Sequence, residues 1–227
     1  MIKNEVIKFL VLRSIGNFLL LFAIFGVLST FGPALYYEAQ YRIIQIRGVK
    51  FTVSSQQTAK PSQNNLAQIL TGPKEQNLIP FDPSFSIVIP KIGASSQVFP
   101  NTDPSNQNEF LPVLAQGVAH AKGTVFPGLP GNIYLFAHST DNFWDVGRYN
   151  AVFYLLKDLA AGDDIVLFFE GKRFNYKVTE SAIVDPSEIS FLVKSRDKNN
   201  PQILILQTCW PPGTTWKRLV VFAKPEK

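Results

Sequence analysis

The chain has 227 residues, of which 46% are hydrophobic and 17% charged, with one cysteine, two histidines and a formal net charge of +5. A disordered chain would contain fewer apolar residues and a disulfide scaffold more cysteines, so the composition excludes both classes and predicts one globular domain with an additional segment. The excess charge lies near the N-terminus: residues 1–82 carry 8 Lys and Arg against 4 Asp and Glu, whereas residues 83–227 carry 14 against 13. Because the C-terminal part is nearly neutral, we expect a membrane surface and no nucleic acid as partner.

The first predicted element is a membrane anchor over residues 14–37, from Ser14 to Tyr37, where no side chain is charged. A helix of this length exceeds the hydrocarbon thickness of a bilayer, and its centre lacks the polar stripe of a helix buried in a soluble protein. Basic residues precede it, which favours residues 1–13 in the cytoplasm, although basic residues also follow it. A signal peptide cleaved near Gly32 is the alternative, but the apolar stretch is longer than usual for one.

Residues 38–82 are predicted to form a juxtamembrane segment and a flexible linker. Their central part, residues 52–80, is rich in Ser, Gln, Asn and Pro and has no sustained apolar period. Such a composition is typical of a tether. A single domain is therefore expected at residues 83–227, outside the membrane.

This domain is predicted to be mainly β. Short β-type runs bounded by turn residues predict strands at 86–90, 133–137, 164–169, 174–179, 203–208 and 219–223. Gly171-Lys172 is interpreted as a hairpin turn. Helical periodicity is brief, at 109–116 and 151–159, so parallel βαβ units are not expected, and a small barrel fits the length.

Cys209 is the candidate nucleophile. It follows an apolar strand, at the point where that strand gives way to Trp210-Pro211-Pro212. A lone thiol in an oxidising compartment risks intermolecular disulfides, which suggests that its reactivity is used. The alternative is an inert buried cysteine at the end of a core strand.

His138 has a similar setting, since it follows the strand at 133–137 and begins a polar loop. Two strands that carry reactive residues at their ends can bring a Cys–His pair together, and such a pair supplies a nucleophile and a proton carrier. His120 is the competing candidate for the base. It follows a short helical stretch, which makes it the less favoured of the two.

Arg218 opens the last strand, nine residues after Cys209, and its guanidinium could hold an oxyanion or substrate carbonyls. A solvated arginine is the alternative interpretation. One cysteine and two separated histidines do not have the spacing of a zinc site, and no glycine-rich phosphate loop is present, so no metal or cofactor is predicted.

Three separated motifs resemble those of the sortases, the cysteine transpeptidases of bacterial cell surfaces. They are Leu206-Gln207-Thr208-Cys209, Gly131-Asn132 leading to Ala137-His138-Ser139, and Arg218-Leu219-Val220-Val221. The resemblance extends over about residues 85–224 with the motifs in order, and it agrees with the anchor and the lone cysteine.

The resemblance implies an eight-stranded sortase-type β-barrel with short helices, preceded by one transmembrane helix. It assigns Cys209 as nucleophile on the Thr-Gly bond of a C-terminal sorting signal similar to Leu-Pro-x-Thr-Gly in exported proteins, through a thioester. His138 would move the proton and Arg218 would stabilise the oxyanion. Thr208 would border the site, and His120 would line the region without being the base.

The resemblance further implies an amine acceptor, either a peptidoglycan precursor or another surface protein. It leaves the sorting motif and the subclass open. Two alternatives also stay open: a tethered thiol peptidase that only hydrolyses its thioester, and a peptide-binding barrel without catalysis.

Overall fold

The structure is a computed structural model, and it describes residues 2–53, 70–139, 152–193 and 202–226. Two compact units are present, residues 1–42 and residues 43–227. The first is the greater part of helix α1 (Ile2–Arg47). The second contains the remaining elements and the candidate site.

Helix α1 is the one helix in the described part of the chain that is long and apolar enough to cross a membrane. The qualifying segment is Asn4–Ser29, with a mean hydropathy of 2.1. It overlaps the predicted span of residues 14–37 and begins ten residues earlier. The backbone stays helical through residues 32–34, where the alternative interpretation put a cleavage site.

Two short strands lie in the segment that the sequence predicts as a flexible linker. β1 (Lys50–Val53) and β2 (Glu75–Leu78) pair in parallel, and Phe51 and Val53 pack with Leu78 against barrel residues such as Val88. Four-residue strands are too short to reveal a period in a polar context, which is why residues 50–53 and 75–78 read as linker. Residues 54–69, the centre of the predicted tether, lie outside the described residues.

The remaining strands close into an eight-stranded barrel, as predicted. They are β3 (Phe85–Ile89), β4 (Ala94–Thr102), β5 (Val118–Ala121), β6 (Asn132–Phe136), β7 (Asp164–Phe169), β8 (Lys172–Val184), β9 (Ile203–Trp210) and β10 (Lys217–Pro225). Their order around the barrel is β10-β8-β7-β3-β4-β5-β6-β9. Closure leaves no free sheet edge, so the barrel needs no partner strand.

Six barrel strands match the predicted ones, and two were missed. β4 is interrupted by Pro100 and Asn101, and β5 has only four residues, so neither shows a clear alternation. The predicted helix at 109–116 is α2 (Gln107–Leu114), which begins after an Asn106 side-chain cap. The second predicted helical stretch contains the short 3₁₀ helix η1 (Tyr154–Asp158), and a third helix, α3 (Ser190–Val193), precedes β9.

The expectation that parallel βαβ units are absent is wrong at one place. β4 and β5 pair in parallel, and α2 forms the crossover between them. Gly117 permits the close approach, since a Cβ there would lie 2.6 Å from the Gln97 carbonyl oxygen. A single eight-residue helix with one proline was too weak a signal to predict this unit.

The turn between β7 and β8 lies one residue earlier than predicted. Its two loop residues are Glu170 and Gly171, with φ angles of 50° and 72°. Positive φ at both central residues is the two-residue hairpin geometry that suits twisted strands.

Both faces of β6 and β9 are covered, which explains their continuous apolar sequences. Inside the barrel, Leu135 on β6, Leu206 on β9 and Val221 on β10 lie at one level and are fully buried. Outside it, Tyr134, Phe136 and their neighbours form a second cluster under α2 and α3. The candidate site lies on this outer face.

Candidate active site

Alternation along β9 places Cys209 on the outer face of the barrel. Side chains of successive strand residues point to opposite faces, so Cys209 shares a face with Gln207 and Ile205, and Ile205 belongs to the outer cluster. The cysteine is a free, half-buried thiol at the penultimate position of the strand. A substrate can therefore reach it from outside the barrel.

Arg218 lies directly across from Cys209. β9 and β10 are antiparallel, and their register pairs these two residues. The Arg218 Nη1 atom donates to the carbonyl oxygens of Thr215 and Lys217, each at 3.1 Å. Its Nε and Nη2 atoms have no hydrogen-bond partner among the described residues, so half of the guanidinium fork is available to a ligand.

His138 follows β6, the neighbour of β9 on the other side. β6 and β9 pair in parallel at a constant offset up to Phe136 and Gln207. Beyond the last pair, the backbone N–H of Ala137 donates to the Gln207 carbonyl oxygen at 3.2 Å. The same offset, continued two residues past the end of β6, would put the half-buried His138 beside Cys209.

His138, Cys209 and Arg218 are here called the site row. The register pairs Cys209 with Arg218, whose side chains share a face, and His138 follows the strand that pairs with β9 on the other side. Two of the three residues that the sequence predicted as nucleophile, base and oxyanion group are thus cross-strand partners, and the third follows the adjacent strand. Such a row offers a thiol, a proton carrier and a fixed cation to one bound peptide.

Apolar side chains continue the outer face beside the site row, where α2 and α3 cover much of them; they are here called the floor. Its first level consists of Phe136, Gln207 and Val220, and its second consists of Tyr134, Ile205 and Phe222. Phe110 of α2 contacts the ring of Phe136, and Phe191 of α3 contacts the rings of Tyr134 and Phe222. The floor therefore runs along the strands from Cys209 toward α3.

Tyr134 is the buried phenol of this floor. Burial raises the pKa of its hydroxyl; the positive charge of Arg218 opposes this rise, and Cys209 adds to it. The hydroxyl is therefore neutral and lies within electrostatic range of two members of the site row. The side chain is 7% exposed and its ring stacks on Phe136.

Thr208 lies on the opposite face from Cys209, inside the barrel. Its side chain is 3% exposed, and its Oγ1 donates to the carbonyl oxygen of Ala137 at 3.0 Å. This contact ties β9 to the residue that directly precedes His138. The Thr208 side chain thus lies beneath the site, on the face of β9 opposite Cys209.

His120 lies away from the site row. It pairs with Leu135, whose side chain lies inside the barrel, and it is fully buried. Its Nδ1 accepts from the backbone N–H of Asn101 at 3.3 Å, its Nε2 donates to the Val125 carbonyl oxygen at 3.1 Å, and its ring stacks on Phe126. Burial lowers its pKa, which the Val125 contact partly offsets. His120 is thus fully buried on the inner face of β5, whereas Cys209 is on the outer face of β9.

The sequence analysis missed Gln207 and Tyr134 as floor residues. Strand alternation could have found Gln207, because it lies two residues before Cys209 and must share its face. Tyr134 needed the β6–β9 register, for which the sequence carries no local signal. In the described part of the chain, no three His, Cys, Asp or Glu side chains are grouped as metal ligands.

Comparison with known proteins gives one consistent family. A sortase domain model matches residues 87–226. Sortase D of Bacillus subtilis (strain 168) is 29% identical over 139 residues, a match that covers 60% of this chain and 60% of that relative. The matched region thus spans less than two thirds of the relative's length.

Solved structures agree on the fold. Sortase C of Clostridium perfringens, solved with the C-terminal cell wall sorting motif, is 27% identical, with a TM-score of 0.51 over 63% of this chain and 69% of that one. The lid mutant of sortase A from Corynebacterium diphtheriae is 22% identical, with a TM-score of 0.53 over 86% of this chain and 95% of that one. With the family model matching more than half of its length, the chain belongs to the sortase family.

Proposed function

We propose that the chain is a membrane-anchored cysteine transpeptidase. It cleaves a C-terminal sorting signal similar to Leu-Pro-x-Thr-Gly at the Thr-Gly bond and transfers the protein to an amine on the cell surface. The observation that carries the proposal is that Cys209 and Arg218 are cross-strand partners and that His138 follows β6, the strand on the other side of β9. Family membership supports the same chemistry.

The first step is attack by the Cys209 thiolate on the carbonyl carbon of the scissile bond. A C–S bond forms, and the electron pair of the carbonyl moves to oxygen. The Nε and Nη2 donors of Arg218, which have no partner in the part of the chain that the structure describes, can stabilise this oxyanion. When the oxyanion collapses, the C–N bond breaks, and His138 gives its proton to the leaving amine.

The second step reverses this order with a new amine. His138 takes the proton from the incoming amine as its nitrogen attacks the thioester carbonyl. The C–S bond then breaks and Cys209 returns to its thiolate form. Water in place of the amine gives hydrolysis, so the outcome depends on which of them reaches the thioester.

The apolar character of the outer face supports a signal with apolar residues. Partly buried aromatic side chains such as Phe110 and Phe222 lie at the edge of the outer cluster, and such side chains suit the apolar residues of the proposed signal.

Intact-mass analysis of the full-length chain in detergent tests the proposal. With a Leu-Pro-x-Thr-Gly peptide, we expect a mass increase on the protein equal to the acyl fragment, and its transfer to added triglycine. Loss of the fragment only as free acid, with triglycine ignored, would favour the peptidase. Binding without any acyl adduct would favour the non-catalytic barrel.

We also propose that residues 1–13 lie in the cytoplasm and the barrel outside the bacterial plasma membrane, with α1 as a single-pass anchor. The apolar segment of α1 and its preceding basic residues support this orientation. Protease added to spheroplasts should release the barrel domain from the membrane. A barrel that stays protected until the membrane is dissolved would contradict the orientation.

A further inference from the structure

A cavity of about 530 Å³ lies at the end of the barrel opposite Cys209. It is enclosed by the end of β4, the loop at residues 126–129 and the turn after β7. That loop leads into β6 at Asn132, which pairs with Ile203, six residues or about 20 Å along β9 from Cys209. The cavity is therefore separate from the candidate active site.

The wall of this cavity is apolar and held in place. The half-buried rings of Phe126 and Phe169 line it and stack with their centroids 5.0 Å apart. Beside them the side chain of Leu129 is 53% exposed. The Leu129 carbonyl oxygen accepts from Gln202 Nε2 at 2.6 Å, and Gln202 Oε1 accepts from the buried Tyr176 hydroxyl at 2.7 Å. An exposed leucine on a braced loop beside a cavity is a preformed surface for apolar groups.

Glu170 gives the cavity its charge. It is the one charged residue among the described residues that line the cavity, and it has no ion pair with any of the residues described. Its φ angle of 50° lies in the left-handed region, where a glutamate is strained. A glycine would make the same hairpin turn without that strain. The chain thus keeps a carboxylate at the rim of the cavity at a cost in backbone energy.

Charge complementarity selects the occupant of the cavity. An anion would be repelled by the Glu170 carboxylate, and a single carboxylate is too few ligands for a calcium or magnesium ion. A lysine side chain fits both features, because its methylene groups cover apolar surface and its ammonium group pairs with a carboxylate or an aromatic ring. The volume also leaves room for an apolar neighbour of that lysine.

We propose that this cavity docks an extended segment of a partner protein in which a lysine stands beside an aliphatic residue. The ammonium group pairs with Glu170, the lysine methylenes lie against Phe126 and Phe169, and the aliphatic residue packs on Leu129. Such docking holds the partner at the end of the barrel away from Cys209 and leaves the thiol free to react.

Two fluorescein-labelled tripeptide amides test the docking, with the full-length chain in detergent. One is Leu-Lys-Leu, and in the other norleucine replaces lysine, which keeps the four-carbon chain and removes the ammonium group. Fluorescence anisotropy gives Kd for each. We expect the norleucine peptide to bind about fivefold more weakly, and added NaCl to weaken binding of the lysine peptide alone.

Variants then assign the difference to the cavity. Glu170→Gln should reduce the affinity for the lysine peptide to that for the norleucine peptide, and Leu129→Ser should weaken both peptides by one factor. Glu180→Gln, at an exposed carboxylate on β8, is the matched control and should bind as wild type. Glu170→Gly should show the same loss as Glu170→Gln with a melting temperature no lower than that of wild type, because glycine relieves the strained turn.

Three outcomes would overturn this inference. They are equal affinity of wild type for the two peptides, an unchanged Kd for the lysine peptide in Glu170→Gln, and no measurable binding of the lysine peptide to wild type. None of these measurements involves cleavage of a peptide. The inference can therefore fail while the proposed function stands, and the proposed function can fail while the inference stands.

Discussion

Replacing Thr208 by valine separates a structural tie from a substrate contact. The Thr208 hydroxyl donates to the carbonyl oxygen of Ala137 at 3.0 Å, inside the barrel. Valine keeps the side chain's shape and removes this donor. The buried Ala137 carbonyl then loses a partner directly before His138.

The magnitude follows from the burial of both groups. Thr208 and Ala137 are 3% and 5% exposed, so water does not readily replace the lost hydrogen bond. We expect Thr208→Val to lower the free energy of unfolding by about 1–2 kcal/mol. For a domain of this size, that corresponds to a melting temperature lower by roughly 2–8 °C.

The catalytic effect should appear in kcat. Loosening β6 at Ala137 shifts His138 relative to Cys209, and a small displacement of a catalytic group costs rate; we expect a fall of about tenfold. KM should stay near the wild-type value, because the Thr208 side chain is on the face of β9 opposite Cys209.

Thermal unfolding and steady-state kinetics on a fluorogenic sorting peptide measure these effects. Thr208→Ser retains the hydroxyl and is the matched control, with kcat expected near wild type. An increase in KM with kcat unchanged in Thr208→Val would refute the reasoning and indicate a substrate contact. Equal loss of kcat in both variants would show that packing of the methyl group matters and the hydrogen bond does not.

Four further predictions concern the site row and His120. Cys209→Ala should abolish the acyl adduct seen by intact mass and should change the free energy of unfolding, measured by denaturant titration, by only about 1 kcal/mol. Cleavage of the peptide at the wild-type rate by this variant would contradict the cysteine mechanism. Arg218→Lys should lose about 10²–10³-fold in kcat/KM, close to the loss in Arg218→Ala, because lysine lacks the planar, two-pronged guanidinium group. Near-wild-type turnover in Arg218→Lys would show that only the positive charge of the residue matters. His138→Ala should lose nearly all peptide cleavage and His120→Ala should retain a measurable part; the reverse order would contradict the base assignment. Burial lowers the pKa of His120, so as the pH falls below about 6.5 the unfolded chain binds a proton that the folded chain does not. Urea titrations should therefore show the free energy of unfolding decreasing below that pH, and decreasing less steeply in His120→Gln.

The sequence predicted much of the fold because its strongest signals are local. An uncharged stretch longer than a bilayer is thick indicates an anchor wherever it lies, and apolar runs bounded by turn residues indicate strands. Cys209 and Arg218 were found because each lies at the end of such a run. β4 and β5 were missed for the same reason, since one contains Pro100 and the other has four residues.

The tertiary structure alone decided which residues share a face. His120 and His138 are the same residue type near strands of similar composition, yet His120 packs inside the barrel, whereas His138 follows the strand that pairs with β9. The pairing of β6 with β9 joins residues 71 positions apart, and strand pairing at that distance depends on how the whole barrel closes. A shift of one residue in that register would have turned His138 away from Cys209, because side chains alternate with a period of two. The residue types of the site were therefore present in the sequence, whereas their juxtaposition came from the register of the closed barrel.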